Sequence, residues 1–176
     1  DQNINPELIE GAITQKTKAI MPVHLTGRIA DMKKILEISN YYGIPIVEDA
    51  DQAAGSLYEE KFSGSWGKVG CCSAHPLKNL NACGDAGFIT TNDASIAHRV
   101  RLMRNHGLVD RDTVEEFGHV SRMDSIQAAI LRFRLSSLPE VVERRRENVH
   151  LYRSILDPEM IFHPPDQQLE FNTWHT

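Results

Sequence analysis

Ala19-Ile20-Met21-Pro22-Val23, then an apolar stripe of Met32, Ile35, Leu36 and Ile38 closed by Gly43, then Pro45-Ile46-Val47-Glu48-Asp49, follow one another without a break. The two short apolar runs suit strands buried on both faces, and the stripe over 30–42 has the period of the helix that crosses between them. The second run ends in Glu48-Asp49, so carboxylates are expected where its strand meets a loop. Upstream, Asn5-Pro6 supplies the cap and first position of a short helix reaching about residue 14. Downstream, Val69-Gly70-Cys71-Cys72-Ser73 and Gly87-Phe88-Ile89-Thr90-Thr91 predict two further strands. The Gly-, Asn- and Pro-containing link 74–86 between them is expected to be too polar for the core. Helices are predicted over 94–105, 124–135 and 139–155, and a strand begins near Phe171. Alternating strands and helices predict an α/β fold, a mainly parallel sheet with helices on both faces and ligands beyond the C-terminal ends of its strands.

The 176 residues include 19 Lys+Arg against 24 Asp+Glu. Eight basic and 12 acidic residues fall in 1–98, 11 and 8 in 99–153, and none and 4 thereafter, so no strongly basic surface arises. Without one, the electrostatic source of non-specific nucleic-acid affinity is missing, and no nucleic-acid partner is expected. No apolar run is long enough to cross a bilayer and Asp1-Gln2-Asn3 lacks signal-peptide character, so a cytoplasmic protein with no membrane partner is expected. Cys71, Cys72 and Cys83 form no C-x-x-C pair and read as buried free thiols, and no metal site is expected. The chain opens without Met at the foot of a helix and stops at the start of a strand, which reads as a piece of something longer.

Asp49 directly follows a buried strand, where it either caps its loop or presents a carboxylate to a ligand. Ser73 ends the next strand and Lys78 follows five residues on, so three polar groups can converge at one sheet edge. A loop lysine is ordinarily a solvated charge. Here Pro76 gives a rigid entry and Gly84-Asp85-Ala86-Gly87 a tightly turned exit, a loop able to hold an amine against a cofactor. A lysine that condenses with a carbonyl must be partly desolvated so that enough of it is unprotonated near neutral pH. Pyridoxal 5′-phosphate is the natural partner for such an amine.

Pro22-Val23-His24-Leu25-Thr26-Gly27, Glu48-Asp49-Ala50-Asp51-Gln52-Ala53, Ser73-Ala74-His75-Pro76-Leu77-Lys78-Asn79-Leu80 and Gly84-Asp85-Ala86-Gly87 together resemble the DegT/StrS-type sugar aminotransferases. Arg104-Asn105-His106-Gly107 and Ser121-Arg122-Met123-Asp124-Ser125-Ile126-Gln127-Ala128-Ala129 continue the resemblance in the same order. It covers nearly all of residues 4–156, whereas the family's full chains extend well past both ends. The resemblance implies a fold-type I, pyridoxal-phosphate-dependent aminotransferase that moves an amino group, from glutamate, onto a nucleotide-linked keto sugar. It implies Lys78 as the lysine bound covalently to the cofactor and then as proton carrier, and Asp49 as partner of the pyridinium nitrogen. Gln52 is implied at the ring's 3-hydroxyl and Ser73 at the cofactor phosphate. Residues 1–136 are expected to form part of the cofactor-binding large domain, and 137–176 the interdomain helix and the start of a truncated C-terminal domain. A homodimer with the active site at the subunit interface is implied as well.

A sugar dehydratase of the same superfamily carries His where this chain has Lys78, and a non-catalytic regulatory relative is the other alternative. His75 reads as a loop residue flanking the site, and His24 is left between approaching the site and capping its strand. Where family members have an Asn reaching the neighbouring subunit's cofactor phosphate this chain has Val120, so His119 or Ser121 takes over or the contact is absent. The run Glu143-Arg144-Arg145-Arg146-Glu147 reads as a solvated helix face, and the helix bearing Gln127, Phe133 and Leu135 as core.

Overall fold

A computed structural model describes residues 2–175. Asn5 accepts from the backbone of Glu7 and opens a turn, Pro6–Leu8, that runs into the short helix α1 (Ile9–Ala12). Asp31 caps α2 (Met32–Tyr42) by accepting from Lys34 N–H, and Gly43 ends it in the left-handed region at φ 64°. α2 buries Met32 and Ile35 against Ile9, Ile20, Ile29, Ile44 and Ile46, so the stripe legible in the sequence is the face that makes the first core.

β1 (Val47–Asp49) pairs in parallel with β4 (Val69–Ser73), Val47 opposite Val69 and Asp49 opposite Cys71. Ile20 and Val23 join in parallel through single bridges to Ile46 and Asp49. The predicted run at 19–23 is therefore one border of the sheet, with too few paired residues to form a full strand. β5 (Gly87–Thr90) returns antiparallel to β4, Gly70 opposite Thr90 and Ser73 opposite Gly87. A parallel return would require a crossover helix, and residues 74–86 contain none. The sheet is thus mainly parallel with one reversed strand.

A second sheet was not foreseen. β2 (Leu57–Tyr58) and β3 (Lys61–Phe62) form a hairpin, and β6 (Glu170–Phe171) pairs antiparallel with β2. Glu59 and Glu60 make its turn at φ 46° and 62°. Two-residue hairpin turns of this kind normally announce themselves by Asn-Gly or Asp-Gly, and Glu-Glu gives no such signal.

Three expectations are corrected. Residues 74–86 are not outside the core: Ala74, Leu80 and Ala82 are buried with Leu131, Leu138 and Val142 in a second cluster. The polarity of the link as a whole concealed three inward-facing apolar side chains. Helices α3 (Ala94–Met103), α4 (Ser125–Leu135) and α5 (Leu138–Ile155) lie where predicted, but α4 buries only Leu131, leaving Ile126 at 67%, Phe133 at 76% and Leu135 at 54% exposure. The thiols are free, yet Cys71 and Cys72 are half-buried and Cys83 is exposed.

The arginine run of α5 divides between solvent and protein. Arg144 pairs with Glu140 in solvent, whereas Arg145 donates to the carbonyls of Trp174 and His175 at 3.1 and 2.6 Å and Arg146 to that of Asn172 at 3.1 Å. Residues 172–175 are thereby clamped between α5 and the 26–27 turn, where Thr173 N–H donates to Gly27 O at 3.1 Å. Gly27 sits at φ 91°, and a Cβ there would lie 2.7 Å from Thr173 Oγ1 and Trp174 N, so only glycine allows this approach. Among the described residues no helix is long and apolar enough to cross a membrane.

Candidate active site

β1 and β4 run in parallel and end at the same edge of the sheet; Asp49 and Ser73 are their last residues, and Gln52 and Lys78 lie in the loops that leave this edge. Asp49 is fixed from both sides. Its N–H donates to Pro22 O at 2.9 Å, its carbonyl accepts from His24 N–H at 2.9 Å, and Ala50 N–H donates to Cys71 O at 2.8 Å. One carboxylate oxygen, Oδ1, accepts from Asp51 N–H at 3.2 Å. The capping geometry is therefore present, and Oδ2 has no hydrogen-bond partner among the described residues.

Glu48 differs from its neighbour because successive strand residues face opposite ways. Its carboxylate is fully buried and does not stand at the loop. Oε2 accepts from His24 Nε2 at 2.9 Å and Gly64 N–H at 2.7 Å, and Oε1 from the N–H groups of Trp66 and Gly67, both at 2.6 Å. Ala30 N–H donates to His24 Nδ1 at 3.2 Å, which places the ring proton on Nε2. His24 is thus a structural link between the first sheet border and Glu48.

Gln52 accepts from Thr26 N–H at 2.8 Å through Oε1, which leaves its Nε2 as a donor. Ser73 is the last residue of β4, and its Oγ accepts from His75 N–H at 3.2 Å. Exposed His75 accepts from Leu77 N–H at 3.3 Å and its carbonyl takes Lys78 N–H at 2.8 Å, so it shapes the loop. Lys78 is half-buried, and its ammonium makes no ion pair among the described residues. Its neighbour Asn79 is buried and donates to Thr173 O at 3.0 Å, anchoring the loop to the 172–175 segment.

Electrostatics tie these groups together. Burial pushes the Asp51 carboxyl up and the charge of Asp49 adds to it, while Lys78 pulls it down. Burial and then the charge of Asp51 drive the Cys72 thiol up to about 12, so it remains protonated and is no nucleophile. His175 is held below the usual histidine range by burial, then by the positive charges of Lys78 and Arg145. Lys78 is therefore near enough to be felt at both Asp51 and His175. The histidine was missed in the sequence, where nothing in a strand-like ending marks it. Beside Asp51, an open cleft of about 930 Å³ is floored by Cys71 and Cys72 and flanked by Arg101, Arg104 and Arg122. Val120 is 65% exposed and bridged to Asn105, whose Oδ1 accepts from Arg122 at 3.1 Å. The backbones of His119 and Ser121 bond to Met103, His106 and Arg104. No group of three His, Cys, Asp or Glu able to hold a metal occurs among the described residues.

Residues 1–176 match the model of the DegT/DnrJ/EryC1/StrS aminotransferase family. The chain belongs to this family. It is 38% identical over 176 residues to the pleiotropic regulatory protein of Geobacillus stearothermophilus, covering 98% of this chain and 47% of that one. It is 42% identical over 142 residues to a dTDP-3-amino-3,4,6-trideoxy-alpha-D-glucose transaminase of Streptomyces venezuelae, covering 81% and 38%. The fold matches the crystal structure of S. venezuelae DesV in complex with a ketimine intermediate, with TM-score 0.90 and 37% identity over 98% of this chain and 47% of that one. The chain spans about half the length, or less, of these family members.

Proposed function

We propose that the chain is part of a pyridoxal-phosphate-dependent aminotransferase that moves an amino group, from glutamate, onto the keto carbon of a nucleotide-linked sugar. The observation that carries this reading is a half-buried lysine without an ion-pair partner among the described residues, held in a loop that leaves the sheet edge bearing Asp49. The substrate class is supported by the transaminase name of the S. venezuelae relative.

The donor set fits the cofactor. Asp49 keeps one carboxylate oxygen uncommitted, Gln52 keeps its amide N–H₂, and Ser73 keeps its hydroxyl proton while its oxygen accepts from His75. When bound, the cofactor supplies an electron sink for the bond electrons left behind at the substrate's Cα. Lys78 would hold the cofactor covalently and, as a free amine, would carry the proton that leaves the substrate's Cα. Asp49 holds a proton on the ring nitrogen, because a carboxylate beside that nitrogen favours its charged form. Gln52 Nε2 would be the donor to the ring hydroxyl and Ser73 Oγ the donor to the phosphate.

The same reading makes residues 1–136 part of the cofactor-binding domain and 137–176 the helix and first strand leading to a smaller one. It makes the protein a homodimer, supported by the bare apolar faces of α4 and of fully exposed Phe117. A cytoplasmic location is supported by three unpaired cysteines. A regulatory role is the second reading, supported by the name of the G. stearothermophilus relative.

In the full-length protein, Lys78→Ala is expected to abolish both the absorbance band of covalently held pyridoxal phosphate and amino transfer from glutamate to a panel of keto sugars. Persistence of the band in the variant overturns the role of Lys78. A normal band with no transfer to any keto sugar favours the regulatory reading.

A further inference from the structure

His175 is tied by its backbone to the turn that Gln52 holds. Its N–H donates to Thr26 O at 2.9 Å, its carbonyl accepts from Arg145 at 2.6 Å, and Thr26 N–H is in turn held by Gln52 Oε1 at 2.8 Å. Both ring nitrogens are shut off from solvent and neither has a hydrogen-bond partner among the described residues. An orphaned buried polar atom costs about 1–3 kcal/mol, and a ring with two of them gains that back when a ligand bonds to it. The charges that reach the ring, Lys78 and Arg145, are both positive, and together with burial they keep it neutral.

A neutral imidazole offers one N–H and one lone pair. It is a poor receptor for phosphate or carboxylate, and it matches a hydroxyl, which both accepts and donates. We infer that His175 is a specificity-determining residue of the Lys78 site, its ring hydrogen-bonding an uncharged hydroxyl of the keto substrate. This rests on the aminotransferase reading and names a contact within it. A site built around such a hydrogen bond discriminates against substrates that cannot complete it.

The test uses full-length protein loaded with pyridoxal phosphate, with UDP-N-acetylglucosamine and dTDP-glucose as stable hydroxyl-bearing probes in calorimetric titrations. The absorbance band of the bound cofactor is expected to be unchanged in His175→Phe and His175→Gln. The Kd of the better probe rises about tenfold in His175→Phe and returns to within about threefold in His175→Gln, which restores a donor and an acceptor. In the unaltered protein the ring nitrogens of ¹⁵N-labelled His175 shift when that probe is added. Equal affinity in unaltered protein and His175→Phe, binding of neither probe, or ring resonances that do not move overturns the proposal. So does loss of the band in both variants, which makes the residue structural. Absence of the band from the unaltered protein removes the aminotransferase reading itself, a result distinct from the others.

Discussion

Glu48 and Asp49 are adjacent carboxylates with opposite fates. Glu48 gathers four donors in the interior, and Asp49 ends its strand with an oxygen uncommitted. Glu48→Ala strands His24 Nε2 and three backbone N–H groups, and is expected to destabilise the full-length protein by about 3 kcal/mol or more, read as a lower denaturant midpoint. Glu48→Gln brings its own N–H₂ against those donors and is also expected to destabilise. Asp49→Ala removes only a loop cap, so about 1 kcal/mol of stability is expected to go while turnover falls much further than cofactor binding. Equal loss of binding and turnover would count against the pyridinium role. The place of Asp49 at the end of its strand was legible because the apolar run Pro45-Ile46-Val47 stops just before it. The fate of Glu48 was not, since its donors come from 16 to 24 residues away in sequence and leave no local pattern.

Among the elements, those with strong periodicity were read correctly and those built on unusual chemistry were not. α2 announced itself by its stripe, its Asp31 cap and its Gly43 stop. The β2–β3 hairpin stayed hidden because its left-handed turn uses Glu59 and Glu60. A non-glycine residue in that region carries a cost of about 1–2 kcal/mol. Glu60, exposed and without a hydrogen-bond or ion-pair partner among the described residues, is the residue to relieve, whereas Glu59 pairs with Lys33. Glu60→Gly is expected to raise stability by about 0.5–1 kcal/mol, the release of strain being offset by the entropy of glycine in the unfolded chain. A melting temperature that falls instead would show the turn to be unstrained. The link 74–86 teaches the reverse lesson: Leu80 and Ala82 are apolar and two residues apart, as in a strand, but a pair set among polar neighbours is too short a pattern to mark a core segment.

Over the whole molecule, apolar side chains are unevenly covered. Ile46 and Met32 are almost wholly enclosed, while Phe117 is fully exposed and Phe133 is 76% exposed. Exposed aromatics at this level are where the proposed dimer would find apolar contact. In the full-length protein, Phe117→Asp together with Phe133→Glu is expected to weaken a dimer at least about tenfold, seen by sedimentation at graded concentrations. Unchanged sedimentation would assign these surfaces to the protein's own remaining chain. The fold class was legible at this scale because alternating strands and helices admit few layered solutions. The way the chain closes on itself was not, because the bonds that do it join residues as far apart as Arg28 and Glu170.

The seam between Gly27 and Thr173 bears on how the protein is made. Ser56 donates to the Gly27 carbonyl and shares a hydroxyl bond with Thr173, 117 positions further on. During translation the ribosome therefore releases the lysine-bearing loop well before the segment that walls it in. In the aminotransferase reading, the nascent polypeptide carries that half-built chamber bare to solvent until the later residues emerge.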